Sequence, residues 1–364
     1  MKQKKLIIFM PSIGDGGVEK NLFIISNYLK DKIKDIKLIS ISKKFKSKFH
    51  KKIKFISLNS NFWDKLGRRK KFFLGLYLLF LQLIKDRNIA VLCFQGNLYC
   101  IVLCKIFGVK VIIRSNSAPE GWSQNFFKFL CYKYILSLAD KIIVNSFDFR
   151  DNFRSKFNLD TTCIYNPLNK NEIIKNSKIQ SNLRFSKKKI NLINVGRLVD
   201  QKDQITLLKA ANEIKDKIDF NLIIMGKGNE KKNLERFKNE NGLSKYVKFI
   251  NYNKNPYNLI KRSDVFILTS TYEGLPNVLL ETQVLKTYII SSNCPTGPRE
   301  ILMNGKAGSL FEVGDYKKLS KLIISFSKKK KFYKKKILLG YKNLSRFNYT
   351  KNLDKYYEVV NSLL

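Results

Sequence analysis

The densest chemistry in the chain lies in Ser270-Thr271-Tyr272-Glu273-Gly274-Leu275-Pro276-Asn277-Val278-Leu279-Leu280-Glu281. It follows an apolar run, Val265–Thr269, that reads as a buried strand. Pro276 suits the first turn of a helix, where a missing N–H costs nothing. Gly274 leaves the loop backbone free to bend around a ligand. This spacing puts Glu273 in a loop at a strand end and Glu281 roughly one and a half turns into the next helix. The helix start between them, Gly274 through Leu275 and Pro276 to Asn277, points its N-terminus at an anion. A carboxylate in such a loop can grip sugar hydroxyls, and one further along can grip a ribose diol. Two ordinary surface glutamates are the plain alternative, and the special loop around them argues for the functional reading.

Three more loops have the same strand-then-loop placement. Asn194-Val195-Gly196-Arg197-Leu198 leads to Gln201-Lys202-Asp203. Arg197 and Lys202, leaving a strand end softened by Gly196, can reach one diphosphate, the arginine as a fork of donors and the lysine as a point charge. Ligands of open α/β sheets gather at such strand ends. Two solvated cations remain the alternative in a chain with 70 Lys and Arg. Met225-Gly226-Lys227-Gly228-Asn229-Glu230 fits a nucleotide-side loop and a simple strand–helix connection equally. Cys294-Pro295-Thr296-Gly297-Pro298-Arg299-Glu300-Ile301 reads as a further loop of the same cleft. Near the start, Gly14-Asp15-Gly16-Gly17-Val18-Glu19 precedes a helix, so Gly16 and Gly17 can bring backbone amides to an anion. A tight turn would look the same. The spacing is not GxGxxG and no acidic residue closes the next strand, which disfavours NAD.

Apolar runs alternate with helical patterns along the whole chain. Strands are expected at Leu6–Met10, Ile36–Ile41, Ile53–Leu58, Val91–Phe94, Val109–Arg114 and Lys141–Val144, with helices at Asn21–Lys30, Phe72–Lys85 and Asn125–Ala139. The pattern restarts with strands Ile190–Val195, Phe220–Met225, Val247–Ile250, Val265–Thr269 and Tyr288–Ser291, and helices Gln204–Asp216, Glu230–Asn241 and Val278–Leu285. Continuous apolar strands between helices argue for parallel sheets covered on both faces. A polar stretch without periodicity follows Asn166-Pro167-Leu168. The expected organisation is therefore a domain over 1–168, a linker over 169–188, a second domain over 189–346 and a terminal helix over 347–364 that returns to the first domain.

The charge of +42 admits nucleic acid, an anionic membrane or phosphorylated small molecules as partners. Enrichment in Lys, Ile and Asn, as AT-biased genomes produce, supplies a second origin for it. The cations are spread along the chain and form no recognised nucleic-acid module, so that class is set aside. A basic cluster, Arg68, Arg69, Lys70 and Lys71, precedes an apolar aromatic helix, and Lys65–Ile84 reads as a contact with a membrane surface. A buried helix behind a basic loop is the alternative. The longest apolar run, Phe72–Ile84, falls short of the roughly 20 residues of a membrane span. Leu6–Met10 reads as a first strand and not as a signal peptide. Six cysteines without a CxxC pair and one histidine, His50, disfavour zinc and fit a reducing cytosol.

Together these motifs resemble glycosyltransferase family 4, whose members have the GT-B fold, over nearly the whole chain. The residues that carry the resemblance are Gly14, Gly16 and Gly17, Gly196-Arg197 with Lys202, and the pair Glu273 and Glu281. Ala139-Asp140-Lys141-Ile142-Ile143-Val144-Asn145-Ser146 and Tyr165-Asn166-Pro167 match the family's end of the first domain. The resemblance implies two doubly wound Rossmann-like domains facing across a cleft, a nucleotide-sugar donor, retention of configuration and no bound metal. It assigns the donor diphosphate to Arg197 and Lys202, the transferred sugar to Glu273, sugar and phosphate contacts to Gly274–Asn277 and the ribose to Glu281. Gly16, Gly17 and Gly226 complete the donor-binding set.

Asn293–Ile301 and Ile113-Arg114-Ser115-Asn116 look like the bacterial subset that extends lipid-linked saccharides for lipopolysaccharide, capsule or glycoprotein assembly. That likeness implies a UDP-activated hexose or N-acetylhexosamine and a polyprenyl-diphosphate-linked saccharide acceptor. The enzyme is then expected in the cytoplasm, peripheral at the inner face of the cytoplasmic membrane. Many relatives carry a histidine near Ser115–Asn116, and this chain has none there. A UDP-sugar epimerase of the same fold is the enzymatic alternative, disfavoured by a lone histidine in a polar loop. An inactive paralogue is disfavoured by the intact Arg197, Lys202, Glu273 and Glu281.

Overall fold

The computed structural model describes residues 4–14, 16–116, 125–180, 183, 185–186, 188–253 and 255–364. Two compact units account for them: Met1–Pro167 with Tyr349–Leu364, and Leu168–Asn348.

In the first unit the strands are β1 (Lys5–Phe9), β2 (Asp35–Ile39), β3 (Lys54–Ile56), β4 (Ala90–Cys93), β5 (Lys110–Arg114), β6 (Lys141–Val144) and β7 (Thr162–Cys163). All pair in parallel, in the order β3-β2-β1-β4-β5-β6-β7. Their helices are α1 (Gly17–Lys32), α2 (Arg68–Lys85), α3 (Asn97–Ile106), α4 (Phe126–Ser137) and α5 (Phe147–Phe157). Both sheet faces are buried, which explains strands such as β1, β4 and β6 whose successive residues, and not only alternate ones, are apolar. Within β1, Leu6 and Ile8 enter one core with α1, while Ile7 and Phe9 enter another with α2 and α3. Complete burial of each such side chain contributes about 1.5–3 kcal/mol.

The second unit begins with α6 (Lys170–Ser177) and then alternates β8 (Ile190–Val195), α7 (Gln204–Ile214), β9 (Phe220–Met225), α8 (Lys231–Glu240), β10 (Val247–Ile250), α9 (Tyr257–Arg262), β11 (Val265–Leu268), α10 (Asn277–Val284), β12 (Tyr288–Ser292), α11 (Pro298–Ile301) and β13 (Ser309–Phe311). It closes with α12 (Tyr316–Lys328) and α13 (Lys330–Asn343). The sheet is again wholly parallel, ordered β10-β9-β8-β11-β12-β13. Its strand order reverses between β8 and β11, and a ligand site is expected beyond the strand ends at that point.

The final helix, α14 (Tyr349–Asn361), is counted with the first unit and packs on α1. Its Tyr356 hydroxyl accepts from Arg114 Nε at 2.8 Å, and Arg114 Nη2 donates to Asn166 Oδ1 at 2.6 Å. Arg114 is fully buried at the end of β5, so the tail is tied down by a cation that needs these neutral acceptors.

Two expectations change. Residues 169–188 are not simply a linker, because α6 lies within them. Asn169 caps it by accepting from Glu172 N at 3.1 Å, and α6 packs on α9 and α10. A helix this short draws its order from packing and leaves no periodicity to read. The basic cluster, too, does not precede the apolar helix. Arg68 to Lys71 form the first turn of α2, and Lys71 is buried, donating to Ser42 Oγ at 3.2 Å and Asp64 O at 2.8 Å. No described helix is long and apolar enough to cross a membrane.

Candidate functional site

The loops leaving β8, β11 and β12 converge on Glu273. Lys202 reaches it through a short 3-10 turn, Asp200–Lys202, held by its own backbone: Thr269 Oγ1 donates to Lys202 O at 2.8 Å and Thr271 N to Gln201 O at 2.9 Å. Asp203, in the left-handed region with φ 45°, then caps α7 and accepts from Thr206 Oγ1 at 2.8 Å. Burial raises the Asp203 carboxyl above the usual carboxylate range, while the bonds from Thr206 pull the other way.

Lys202 Nζ is ion-paired with Glu273 Oε1, and Ser270 Oγ donates to the same oxygen at 2.6 Å. The two side chains are only 16% and 9% exposed. A pair this shielded depends on both partners, and removing one costs about 3–5 kcal/mol. The Glu273 backbone is fixed by the loop after β12: Glu273 N donates to Pro295 O at 2.6 Å, and Thr296 Oγ1 to Gly274 O at 3.0 Å. Cys294 lies in that loop. Burial, and then the Glu273 charge, pushes its thiol up to about 12, which holds it protonated near neutrality and unfit as a nucleophile.

Arg197 is exposed, with Nη2 donating to Gln201 Oε1 at 3.2 Å. Its own carbonyl is held by Gln204 Nε2 at 2.9 Å. Gly196 touches the Gly226 loop closely. A Cβ on Gly226 would stand 1.9 Å from Gly196 O, and one on Gly228 equally close to Leu198 O. Glycine is demanded at both places by backbone approach, and Leu198 N bonds to Lys227 O across the contact at 2.9 Å.

α10 starts at Asn277, with Pro276 at the N-cap and no side-chain cap. Pro276 therefore lies one position before the first turn where it was expected. Glu281 is buried in α10 and accepts from Tyr257 Oη at 3.1 Å.

The structure thus gathers Gly196, Arg197, Lys202, Gly226, Glu273 and Gly274–Asn277 around the β8/β11 reversal, with Glu281 one turn into α10. Gly16 and Gly17 belong to the first unit, at the start of α1; Asp15 lies outside the described residues. There the loop partly answers its own amides, since Gly14 N donates to Glu19 Oε1 at 3.2 Å. Ser270 opens the motif but was given no role in it, and Tyr257 lies outside every motif. Ser270 stands three residues before Glu273 and could have been noticed, whereas Tyr257 comes from a different helix. Among the described residues no group of three or more His, Cys, Asp or Glu side chains is placed to hold a metal ion. The site is instead a set of cations and helix-start amides facing carboxylates, able to neutralise an oxyanion and to order hydroxyl groups.

Residues 175–343, a span that contains this site, match the family model described as Glycosyl transferases group 1. An uncharacterised glycosyltransferase of Methanocaldococcus jannaschii is 31% identical over 217 residues, 56% of this chain and 53% of that protein. The match thus spans about half of that relative's length. The N-acetylgalactosamine-N,N'-diacetylbacillosaminyl-diphospho-undecaprenol 4-alpha-N-acetylgalactosaminyltransferase of Campylobacter jejuni is 26% identical, covering 71% of this chain and 73% of its own. Among solved structures, Anabaena HepE in complex with UDP and glucose superposes with a TM-score of 0.78 at 16% identity, over 99% of this chain and 100% of that one. Sucrose-phosphate synthase of Thermosynechococcus elongatus gives 0.82 at 15% identity, over 99% of each. These likenesses show the GT-B fold: α/β, with two parallel Rossmann-like sheets.

Proposed function

We propose that the chain is a retaining glycosyltransferase that moves a hexose or N-acetylhexosamine from a UDP-sugar to a polyprenyl-diphosphate-linked saccharide in bacterial surface glycan assembly. The observation that carries this reading is the shielded Lys202–Glu273 pair with Ser270 at the strand-order reversal. The Campylobacter relative, whose name specifies a diphospho-undecaprenol acceptor, supports the lipid-linked part.

Each residue has a defined task in this reaction. Lys202 and Arg197 neutralise the donor diphosphate, and the amides of Gly274, Leu275 and Asn277 beside Pro276 add helix-start dipoles. Glu273 holds Lys202 in place and accepts from hydroxyls of the transferred sugar. Glu281, its carboxylate oriented by Tyr257, takes the ribose. Gly196 and Gly226 let the backbone approach the nucleotide. The acceptor hydroxyl attacks the anomeric carbon on the face from which the diphosphate leaves. The carbon–oxygen bond to the β-phosphate breaks with its electron pair passing to UDP, and that phosphate takes the acceptor proton. Charge on the leaving group is met by fixed cations, so no metal is needed. The enzyme works in the cytoplasm, peripheral at the inner membrane face, with Lys65–Ile84 toward the lipid.

UDP release tests this. The purified chain is offered UDP-sugars and a polyprenyl-diphosphate-linked saccharide in EDTA, beside Glu273→Ala and Lys202→Ala. Acceptor-dependent release that survives EDTA and collapses in both variants is expected. Release that needs added metal, or that persists in both variants, overturns the assignment.

A further inference from the structure

Large apolar side chains left in solvent are unevenly distributed. Of twenty exposed ones among the described residues, eleven lie on α2, α3 and α4. On α2 they are Phe73, Tyr77, Phe80 and Ile84; on α3, Tyr99, Val102 and Ile106; on α4, Phe127, Leu130 and Tyr134, with Phe126 beside them. Within each helix the steps alternate between three and four residues, so each helix turns one apolar row outward while a different row feeds the core. α4 shows it most plainly: Leu136 is its only buried residue, while Phe127 is 76% exposed. α3 packs against both α2 and α4, and the Phe80 and Phe107 rings meet edge to face at 5.6 Å, so the rows lie side by side on one face of the first sheet.

The charges on these helices are as one-sided. α2, α3 and α4 carry eight Lys or Arg and no Asp or Glu. A second copy of the chain on this face would set cation against cation. An anionic lipid surface complements both the charge and the apolar rows, and aromatic side chains suit the headgroup boundary.

We infer that the outward faces of α2, α3 and α4 form one bilayer-docking surface that lies on an anionic membrane and inserts its aromatic rows. This deepens the reading of a peripheral enzyme and widens it: α3 and α4 supply most of the inserting side chains, and Lys71 is withdrawn because it is spent inside the fold. The experiment needs neither donor nor acceptor, so its failure leaves the transfer chemistry untouched.

With a chain of +42, charge alone would hold it on any anionic vesicle. Binding is therefore measured by co-sedimentation with phosphatidylglycerol–phosphatidylcholine vesicles in about 0.5 M salt, where surface attraction is screened. Wild type is compared with Phe127→Glu/Tyr134→Glu on α4 and Ile106→Glu on α3. All three positions are exposed, and unchanged melting confirms folding. A fluorophore on Cys131, exposed on α4, reports insertion independently. The expected result is retained wild-type binding, a blue-shifted probe, and a loss of about tenfold or more in affinity for each variant. Equal binding by all three proteins overturns the proposal. So does a wild-type dimer in ultracentrifugation that the same variants dissociate, with no vesicle binding at high salt, since a second copy would then cover the face.

Discussion

The strand ends of the second unit and the outward faces of α2–α4 in the first depart from the ordinary arrangement of side chains in opposite directions. At the strand ends, ionised groups are withdrawn from water: Lys202, Glu273 and Glu281 are all largely shielded. On the helices, apolar groups are left in water, Phe73, Ile106 and Phe127 being more than two-thirds exposed. Neither arrangement favours folding of the chain alone. Desolvated charge costs free energy unless it is paired, and exposed aromatic surface forgoes its burial. On the proposed reading each arrangement serves something external, a charged small ligand in one place and an apolar phase in the other. On that reading the two units meet different classes of partner, one at a few fixed polar atoms and the other across a broad surface.

That contrast predicts sensitivity to single atoms in the second unit and tolerance in the first. The largest effect is expected for Glu273→Ala, which leaves Lys202 unpaired and, on the proposed reading, removes a sugar contact. A fall in kcat of about 100-fold to 1,000-fold is the expected scale for losing one fixed electrostatic contact, read as initial rates of UDP release. A fall below tenfold would break the comparison by making Glu273 as dispensable as a surface residue. Next comes Gly226→Ala. Its Cβ would lie 1.9 Å from Gly196 O, so the loop must move or strain. A loss of about 2–3 kcal/mol is expected, seen as a lower melting temperature together with weaker UDP binding by calorimetry, because the displaced backbone adjoins Arg197.

How much of this was legible in the sequence follows from where order comes from. β8, β9, β10 and β6 occupy the residues their mostly apolar runs predict, because most of their side chains enter the cores. β7 and β13, of two and three residues, are too short to write anything. α3 is apolar almost throughout, so its sequence does not separate the row of Cys100, Ile101 and Cys104 in the core from the row facing solvent. The exposed face was thus half-read: the basic start of α2 drew attention to it, while α3 and α4 gave no sign of standing beside it. At the site, Lys202 and Glu273 were readable as strand-end residues, but their pairing across 71 positions was not. Tyr257 shows the same limit, since its bond to Glu281 joins two helices whose sequences are silent about each other.

Lys71 and Lys70 divide the comparison within a single helix turn. Lys70 is exposed, while Lys71 is buried against Ser42 and Asp64, and burial lowers its ammonium below the usual lysine range. Lys71→Ala removes both hydrogen bonds and leaves buried acceptors behind, so a loss of about 1–3 kcal/mol is expected, with Lys70→Ala within about 0.5 kcal/mol of wild type. Chemical denaturation of the two variants measures this. Equal stabilities would mean that the α2 basic cluster is a uniform surface feature after all.

The smallest effect expected is that of Tyr257→Phe. Tyr257 is buried, and its hydroxyl donates to Glu281 Oε1 at 3.1 Å. The change deletes one oxygen and leaves the ring in place, so the fold should keep its stability to within about 1 kcal/mol. Glu281 keeps its charge and loses a constraint on its direction. If that carboxylate grips the ribose, the penalty falls on donor binding: KM for the UDP-sugar should rise several-fold, about 3-fold to 10-fold for the loss of one orienting hydrogen bond of ordinary net strength, with kcat nearly unchanged. A matching fall in kcat would instead place Glu281 near the reacting carbon, and an unchanged KM would remove it from the donor site. Glu281→Gln separates these further, because the amide keeps the shape and an acceptor but loses the charge. If ribose binding rests on the charged acceptor, it should raise KM at least as far as Tyr257→Phe does.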